Sequence, residues 1–551
     1  MNSFKLIKHI ALPLIIIAIG SGCTKLDQNL NSTLSKDQAT NALGANGTQL
    51  LLQTAYNDVG GPYSGMGNIL ALEEVTADEC VVPTRAGDWD DNGKWRALKQ
   101  QTFGPDGVDL IINQFNALNK LNFDATNVLA FNPGKAQAAE ARFLRALSLY
   151  QLLDLFGQYP FRNPGDNLLN APNVYRGDSA VNFIINELTA IVPDLPASNG
   201  MDKANADAAN MLLMKLYLNR GTFNNRAAPT FDDGDMQKVI SIGTAIMTGG
   251  KYSYSANYFD NFSPNNSSST EGIFAAPNTS GVATNNTGIH DRWWATLHYN
   301  SYQPKAPQSG WNGFSTVADF YNSFGVNAIV PKQTPADTLL DQRIGGRFYK
   351  GLTNLSGLKS GLLIGQQYYA DGSKVMDRKN NLLIFGTNFS PDLKETGSNL
   401  EDVGIRVLKY IPDLSGSGKN YGGGTSGNWC MIFRYPDVVL MVAEAKMRAA
   451  AADNAGALDL INKLRMARSA APMTSMTLVN PNNVYDPNTL LAERGRELYW
   501  EIVRRTDLIR FGVFMKAWAL KPASDATHLV FPIPSTALAA NPNLIQNPGY
   551  N

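Results

Sequence analysis

Two stretches of the chain combine tryptophan with acids and amides, the residue types that bind sugars. They are Arg85–Trp95, with the sequence RAGDWDDNGKW, and Arg292–Phe314, and together they hold five of the eight tryptophans. A sugar presents an apolar CH face and a rim of hydroxyl groups, so its site needs an exposed aromatic platform flanked by hydrogen-bonding side chains. Any single tryptophan could instead pack in the core. The predicted glycan-binding residues are Asp78, Asp88, Trp89, Asp90, Trp95, Trp294, Trp311 and Asn312.

The acids of the first stretch and its surroundings could also serve an enzyme, since a glycoside hydrolase needs two carboxylates at a suitable separation. Against this, the chain contains no GxSxG, HExxH or GxxxxGK[ST] motif and only four histidines. We therefore expect a binding protein without catalytic residues. The acids available to a hydrolase would be Glu73, Glu74, Asp78, Glu79, Asp88, Asp90 and Asp91.

The acidic loop also begins like a calcium loop. Asp88, Asp90 and Asn92 supply oxygen ligands at the first, third and fifth positions, and Gly93 stands at the sixth. The twelfth position is Lys99, where an EF-hand needs a bidentate glutamate. We expect no EF-hand and no cofactor. An irregular calcium site at the three ligand positions remains the alternative to a solvated or sugar-facing loop.

The segment Leu490–Gly512 mixes five arginines and four acids with apolar residues at helical spacing, which predicts one continuous amphipathic helix. Within it, Glu501 precedes Arg504 and Arg505 by three and four residues, so the side chains are in reach along a helix. An anion-binding or catalytic cluster is the alternative, but ion-pair networks in folded proteins are more often structural. The predicted structural clamp comprises Glu497, Glu501, Arg504, Arg505, Asp507 and Arg510.

The composition is that of a large globular protein. The chain has 551 residues, of which 44% are hydrophobic and 17% charged, and its formal net charge is +0. Nothing in this balance indicates nucleic acid as a partner. Cys80 and Cys430 lie far apart in the sequence and could either form a disulfide or remain buried free thiols.

The N-terminus predicts a lipoprotein signal peptide over residues 1–22. Lys5 and Lys8 precede the apolar stretch Ile10–Ile19, which is too short to remain as a membrane span. Three small residues then lead to Cys23, as in a lipobox, although the position three before the cysteine is usually aliphatic. We expect Cys23 to be the lipidated first residue of the mature protein. An ordinary secretory signal with an incidental cysteine is the alternative.

The sequence RGRELYWEIVRRTDLIRFG at 494–512 resembles the C-terminal signature of the starch-utilisation-system D family, the SusD/RagB-like surface lipoproteins of Bacteroidetes. The closing FPIPSTALAANPNLIQNPGY at 531–550 and the helical block Glu140–Phe161 are similar to the same family. The family signature usually has glycine where Ile502 stands here.

This resemblance implies a lipid-anchored protein exposed at the surface of the outer membrane. Such a protein captures an oligosaccharide or polysaccharide and delivers it to a SusC-like TonB-dependent transporter without breaking a bond. Peptide capture, as in RagB-like members, is the alternative, and a surface glycoside hydrolase is less favoured.

The predicted fold is mostly α, with tetratricopeptide-like helix pairs forming a scaffold and a long, irregular, loop-rich insertion that carries a few short strands. Two of these strand-like runs are Leu382–Phe385 and Gly404–Ile411. The predicted segments are a lipidated tether at 23–40, an N-terminal helical part at 41–251 with a loop-rich segment at 61–96, a ligand-binding part at 252–429, and a C-terminal helical part at 430–551 that packs back on the N-terminal helices.

Overall fold

The computed structural model describes residues 46–197, 200–278, 288–301, 310–325, 341–348, 359–369, 371–412 and 426–550. The predicted signal peptide, the tether and Cys23 lie outside these residues. No helix among the described residues has the length and apolar character needed to span a membrane.

Consecutive helices form the N-terminal part. They are α1 (Gly47–Tyr63), α2 (Lys94–Gln100), α3 (Asp109–Ala130), α4 (Lys135–Phe156), α5 (Gly177–Ile191), α6 (Ala206–Asn224) and α7 (Asp233–Thr248). From α3 to α7 each helix packs against the next. Helix α4 is buried along most of its length because α3, α5 and α6 all contact it. This helix-pair stacking is the tetratricopeptide-like arrangement.

The middle of the chain adds short elements to this scaffold. Its helices are α8 (Asp291–Trp294), α9 (Ala318–Asn322) and α10 (Asn399–Asp402). Strands β1 (Thr84–Arg85), β2 (Gln158–Phe161) and β3 (Asn173–Arg176) precede this region, and the later strands are β4 (Gly272–Ala276), β5 (Gly345–Phe348), β6 (Lys359–Leu363), β7 (Gly365–Gln366), β8 (Ile384–Phe385), β9 (Lys394–Glu395), β10 (Arg406–Leu408) and β11 (Cys430–Arg434).

The strands pair over long sequence separations. Strand β6 lies between β5 and β10 in a three-stranded antiparallel sheet, in which Val407 pairs with Leu362. The other sheets have two strands each: β1 runs parallel to β9, while β2–β3, β4–β11 and β7–β8 are antiparallel. The β1–β9 pairing joins Thr84 to Lys394 and so brings the Trp89 stretch beside residues 394–402.

The C-terminal helices are α11 (Tyr435–Arg448), α12 (Asn454–Ala467), α13 (Leu490–Leu498), α14 (Arg504–Arg510) and α15 (Ser535–Ala540). Helix α11 contacts α6 and α7 of the N-terminal part as well as α12 and α13. The predicted mostly α fold, with tetratricopeptide-like helix pairs and a few short strands, is confirmed.

Two predicted helix boundaries are wrong. Helix α1 continues through Gly61 and Pro62 to the buried Tyr63, and so extends into the predicted loop-rich segment 61–96. The clamp segment is not one helix but two, α13 and α14. Between them the backbone leaves the helical conformation, with left-handed φ angles of 57° at Trp500 and 61° at Ile502.

Candidate functional site

A tight turn presents the Trp89 loop. Arg85 and Asp88 exchange backbone hydrogen bonds of 2.8 and 3.1 Å, and Ala86 between them has a left-handed φ of 57°. The Arg85 guanidinium, which is buried, donates to the carbonyl oxygens of Leu400 and Val403 at 3.2 and 2.9 Å. The turn is therefore fixed from beneath, while Asp88 is exposed and Trp89 is half-buried.

The indole of Trp89 rests on other aromatic rings. Trp95 and Phe314 each lie 5.7 Å from it, in edge-on contact. Its Nε1–H donates to the carbonyl oxygen of Trp311 at 2.7 Å. The ring also covers Gly313, where a Cβ atom would come within 2.2 Å of Cε2. Trp89 is thus a platform that packing holds in place and whose polar atom is satisfied.

Two further half-buried indoles lie beside this platform. Trp311 and Trp294 have ring centroids 5.3 Å apart, and the backbone N–H of Trp311 donates to the carbonyl oxygen of Trp294 at 2.6 Å. His290 packs edge-on against Trp294 at 4.7 Å. We call Trp89, Trp294 and Trp311 the aromatic surface.

Polar groups adjoin the aromatic surface at Tyr299. Its hydroxyl donates to Asp88 Oδ2 at 2.7 Å, and the Arg378 guanidinium lies over its ring at 3.9 Å. Arg378 in turn donates from Nε to Glu401 Oε1 at 2.8 Å, although half of its side chain is exposed (50%). A cleft of about 370 Å³ opens here, lined by residues that include Asp88, Arg378, Asn381 and Glu401.

Glu401 is the buried anchor of this cleft. Burial opposes its charge, yet hydrogen bonds from His298 and Arg378 hold the pKa of Glu401 at about 2. Burial lowers the pKa of His298, whose Nδ1 accepts the N–H of Asn300 at 3.1 Å, so Nε2 carries the proton donated to Glu401 at 2.8 Å. Burial and the hydrogen bond to Asp88 raise the pKa of Tyr299 to about 12. Near neutral pH the cleft therefore combines fixed donors and acceptors.

Three predicted glycan-binding residues are buried, which corrects their assignment. Asp78 is 0% exposed and forms a two-oxygen pair with Arg504 at 2.7 Å. Trp95 is 2% exposed and donates to Asp91. Asn312 is 0% exposed, and its side-chain oxygen is bound by Arg406. Because they are buried, they present no surface to a ligand.

The acids Glu73, Glu74 and Glu79 are buried as well, beside the clamp segment. Asp90 is partly exposed but is paired with Arg96 at 2.8 Å. Of the acids considered for a hydrolase, Asp88 lines the cleft of about 370 Å³, and the other six do not line it.

The possible calcium ligands are used elsewhere. Asp88 bonds to Tyr299, and Asp90 bonds to Arg96. Asn92 has a left-handed φ of 55° in a short 3₁₀ turn. The described residues contain no group of three or more His, Cys, Asp or Glu side chains placed to hold a metal ion.

The clamp is a buried charge network that extends well beyond its predicted segment. Glu497 accepts hydrogen bonds from Arg343, Arg434 and Arg468 at 3.2, 2.7 and 2.8 Å. These arginines hold down the pKa of Glu497, to about 2, against the effect of burial. The three arginines come from three other segments, so Glu497 ties the middle of the chain to α13.

The predicted pairing within the clamp is corrected. Glu501 binds Lys409 and Arg434 at 2.7 and 2.6 Å instead of the arginines that follow it, because the chain turns after Leu498. Arg505 donates to the carbonyl oxygen of His528 and stacks on Phe531 at 4.6 Å. In the remaining pairs, Asp507 lies 2.6 Å from Arg510 and 2.7 Å from Arg494, and Arg510 lies 2.8 Å from Glu444.

Sequence reasoning missed Arg378 and Glu401. Both lie in a stretch with no recognisable motif, and only the folded chain brings them to Tyr299 and His298.

For the cysteines the structure decides between the two alternatives, since Cys80 and Cys430 are buried free thiols.

A helical scaffold that presents an aromatic surface beside a polar cleft defines a ligand-binding protein. Residues 270–550 match the sequence model of the SusD family, which is half of the chain, and the chain therefore belongs to the SusD family. The family resemblance of the C-terminal signature is confirmed.

Two relatives have similar sequences, and the name of one states the ligand that it binds. Starch-binding protein SusD of Bacteroides thetaiotaomicron is 27% identical over 431 residues, 75% of this chain and 73% of the relative. A SusD-like protein of Bacteroides ovatus is 28% identical over 139 residues, 25% of each chain.

Solved structures share the fold. Surface glycan-binding protein A from Bacteroides uniformis has a TM-score of 0.63 at 16% identity, covering 91% of this chain and 98% of that chain. A laminarin binding SusD-like protein has a TM-score of 0.64 at 19% identity, covering 91% and 99%.

Proposed function

We propose that this protein binds a glycan on the aromatic surface and breaks no bond in it. The sugar stacks its CH face on Trp89 and on the neighbouring indoles, and its hydroxyl groups reach Asp88 and Arg378. Stacking removes apolar surface from water, while the carboxylate and the guanidinium supply an acceptor and a donor at the rim. Family membership and the starch- and glycan-binding relatives support this assignment.

The observation that carries the proposal is the rigid, half-buried indole of Trp89. Two rings and a glycine pack against it, and its N–H is already bonded to the carbonyl oxygen of Trp311. Such a platform loses little conformational freedom when a ligand stacks on it, so most of the stacking free energy is available for binding.

The test is calorimetry of the wild type, Trp89→Ala and Trp311→Ala with fructans, glucans, mannans and short peptides. We expect each variant to lose about 1–3 kcal/mol of binding free energy, roughly ten- to a hundredfold in affinity. Phe123→Ala, which removes an exposed ring on α3, is the matched control and should bind as the wild type does.

Other outcomes separate the alternatives. Undiminished polysaccharide binding by both tryptophan variants would place the site elsewhere. Binding of peptides alone would favour the RagB-like function. Reducing sugar released over time would make the protein a hydrolase.

We further propose that the protein is lipid-anchored at Cys23 on the outer face of the outer membrane and delivers its glycan to a SusC-like TonB-dependent transporter. The N-terminal signal pattern and the family membership support this step. Cys23→Ala should release the protein from membranes, because the acyl chains are the anchor. If that variant resists a high-salt wash and stays bound, the anchor is elsewhere. Co-purification of the transporter with tagged wild-type protein tests the partnership.

A further inference from the structure

The turn between α13 and α14 carries backbone strain at two residues that are not glycine. Trp500 and Ile502 have φ angles of 57° and 61°. A left-handed conformation is disfavoured for L-residues and most of all for a β-branched side chain such as that of Ile502. It persists only where the surroundings hold it in place.

Two buried carboxyl groups hold this turn. Glu79 Oε1 accepts the backbone N–H of Trp500 at 3.2 Å, and Glu74 Oε1 accepts that of Ile502 at 2.7 Å. The indole N–H of Trp500 also donates to the carbonyl oxygen of Glu79 at 3.3 Å. Both glutamates are 0% exposed. The turn is therefore fixed by the segment that leads directly into the Trp89 loop.

The turn places the Trp500 ring in a second layer beneath the aromatic surface. Its centroid lies 6.0 Å from that of Phe314, in edge-on contact. Phe314 is fully buried and packs 5.7 Å from Trp89 and 5.2 Å from Trp95. Phe314 thus contacts Trp500 of the strained turn and also Trp89 of the platform.

We propose that Trp500 is a positioning residue for the aromatic surface. The strained turn holds its ring against Phe314, and Phe314 keeps Trp89 in the orientation that stacks on a ligand. Trp500 itself is buried and touches no ligand. The inference rests on the proposed function, since it assigns Trp500 a part in glycan binding at the same site.

The test compares variants of Trp500 with a destabilising variant in a separate apolar cluster. Trp500→Phe keeps a flat ring against Phe314, whereas Trp500→Met fills the space with a flexible chain. Leu508→Ala is the control. It truncates a fully buried side chain of α14 that belongs to a separate apolar cluster. Each variant is measured for melting temperature, glycan affinity by calorimetry, and the ¹⁵N-indole resonance of Trp89, assigned with Trp89→Phe.

We expect Trp500→Met to shift the Trp89 indole resonance and to weaken binding about three- to tenfold. Trp500→Phe should keep both near the wild-type values, and Leu508→Ala should lose melting temperature with affinity unchanged. Phe314→Leu, which removes the middle ring, should act as Trp500→Met does and replaces that variant if it does not fold.

An unmoved Trp89 resonance with wild-type affinity in Trp500→Met would overturn the proposal. So would an equal loss of affinity in Leu508→Ala, since that would make the effect one of stability alone. If the wild type binds no glycan, the proposed function fails, but the Trp89 resonance still reports whether Trp500 positions the indole.

Discussion

The indole of Trp89 lies directly across the α-carbon of Gly313, and a methyl group at Gly313 would meet its Cε2 and Cζ2 atoms at 2.2 and 2.3 Å. Glycine is required here by close packing and not by an unusual φ angle. The sequence Trp311-Asn312-Gly313 therefore serves the platform with its backbone: Trp311 accepts the indole N–H, and Gly313 leaves room for the ring.

Gly313→Ala should displace Trp89 and weaken glycan binding roughly tenfold, as loss of part of a stacking contact of about 1–3 kcal/mol implies. Calorimetry on the folded variant measures the effect. Gly104→Ala is the control, because nothing lies within 4 Å of the added methyl group and Gly104 does not line the cleft. An equal loss in both variants would mean that the contact between Gly313 and Trp89 does not decide affinity.

Arg378→Lys should weaken binding several-fold while leaving the melting temperature nearly unchanged. Lysine keeps the charge but lacks the planar guanidinium group. It therefore cannot stack on the Tyr299 ring and donate a hydrogen bond to Glu401 at the same time. The side chain is half exposed, so its ion pair contributes little to stability. Lys374→Gln, at an exposed position of the same segment that does not line the cleft, should bind as the wild type does. Wild-type affinity in Arg378→Lys would show that charge alone is sufficient at this rim.

Glu497→Gln should lower the free energy of unfolding by about 3–5 kcal/mol, because it leaves three buried arginines short of a carboxylate. Glycan affinity of the folded variant should not change. Urea denaturation measures the loss, and Asp459→Asn, which breaks an exposed pair with Lys463, is the control. A Glu497→Gln variant with normal stability but no ligand binding would show that the clamp belongs to the binding site and is not only structural.

Stability should also depend on pH through the buried glutamates beside the strained turn. Burial raises the pKa of Glu79 from 4.5 to about 7, and burial together with Glu79 raises the pKa of Glu74 well above its ordinary range. The folded state thus binds protons more tightly than the unfolded chain does. This stabilisation is present in full below pH 4.5 and is lost as the pH rises through about 7.

The free energy of unfolding should therefore fall between pH 4.5 and 7, and Glu79→Gln should flatten this slope. Urea unfolding across that range measures both slopes. Below pH 4.5 a different group lowers the free energy of unfolding. The pKa of Glu497 is held at about 2, so the stabilisation that its charge provides is lost as the pH falls below 4.5. An unchanged slope in Glu79→Gln would show that other groups set the pH dependence.

The sequence predicts the platform better than its surroundings. Trp89 and Trp311 could be found because tryptophan is rare and both stand among polar residues in loop-like stretches. Asp78 could not be told apart from a ligand-binding acid, because residue type carries no information on burial and its partner Arg504 is remote in the chain. Arg378 could not be predicted as a site residue for the same reason, since its role depends on a contact with Tyr299 that only the tertiary fold creates.

Ile502 stands at a position where the family signature usually has glycine. The left-handed φ of 61° explains that preference. Ile502→Gly and Ile502→Ala remove nearly the same buried side chain, so both should be less stable than the wild type. At an ordinary position the alanine variant would be the more stable by about 0.5–1 kcal/mol. Here the order should reverse, since alanine retains the left-handed penalty of about 1–2 kcal/mol and glycine does not. Urea denaturation of the two variants decides the matter, and a more stable alanine variant would mean that the turn relaxes once the isoleucine is gone.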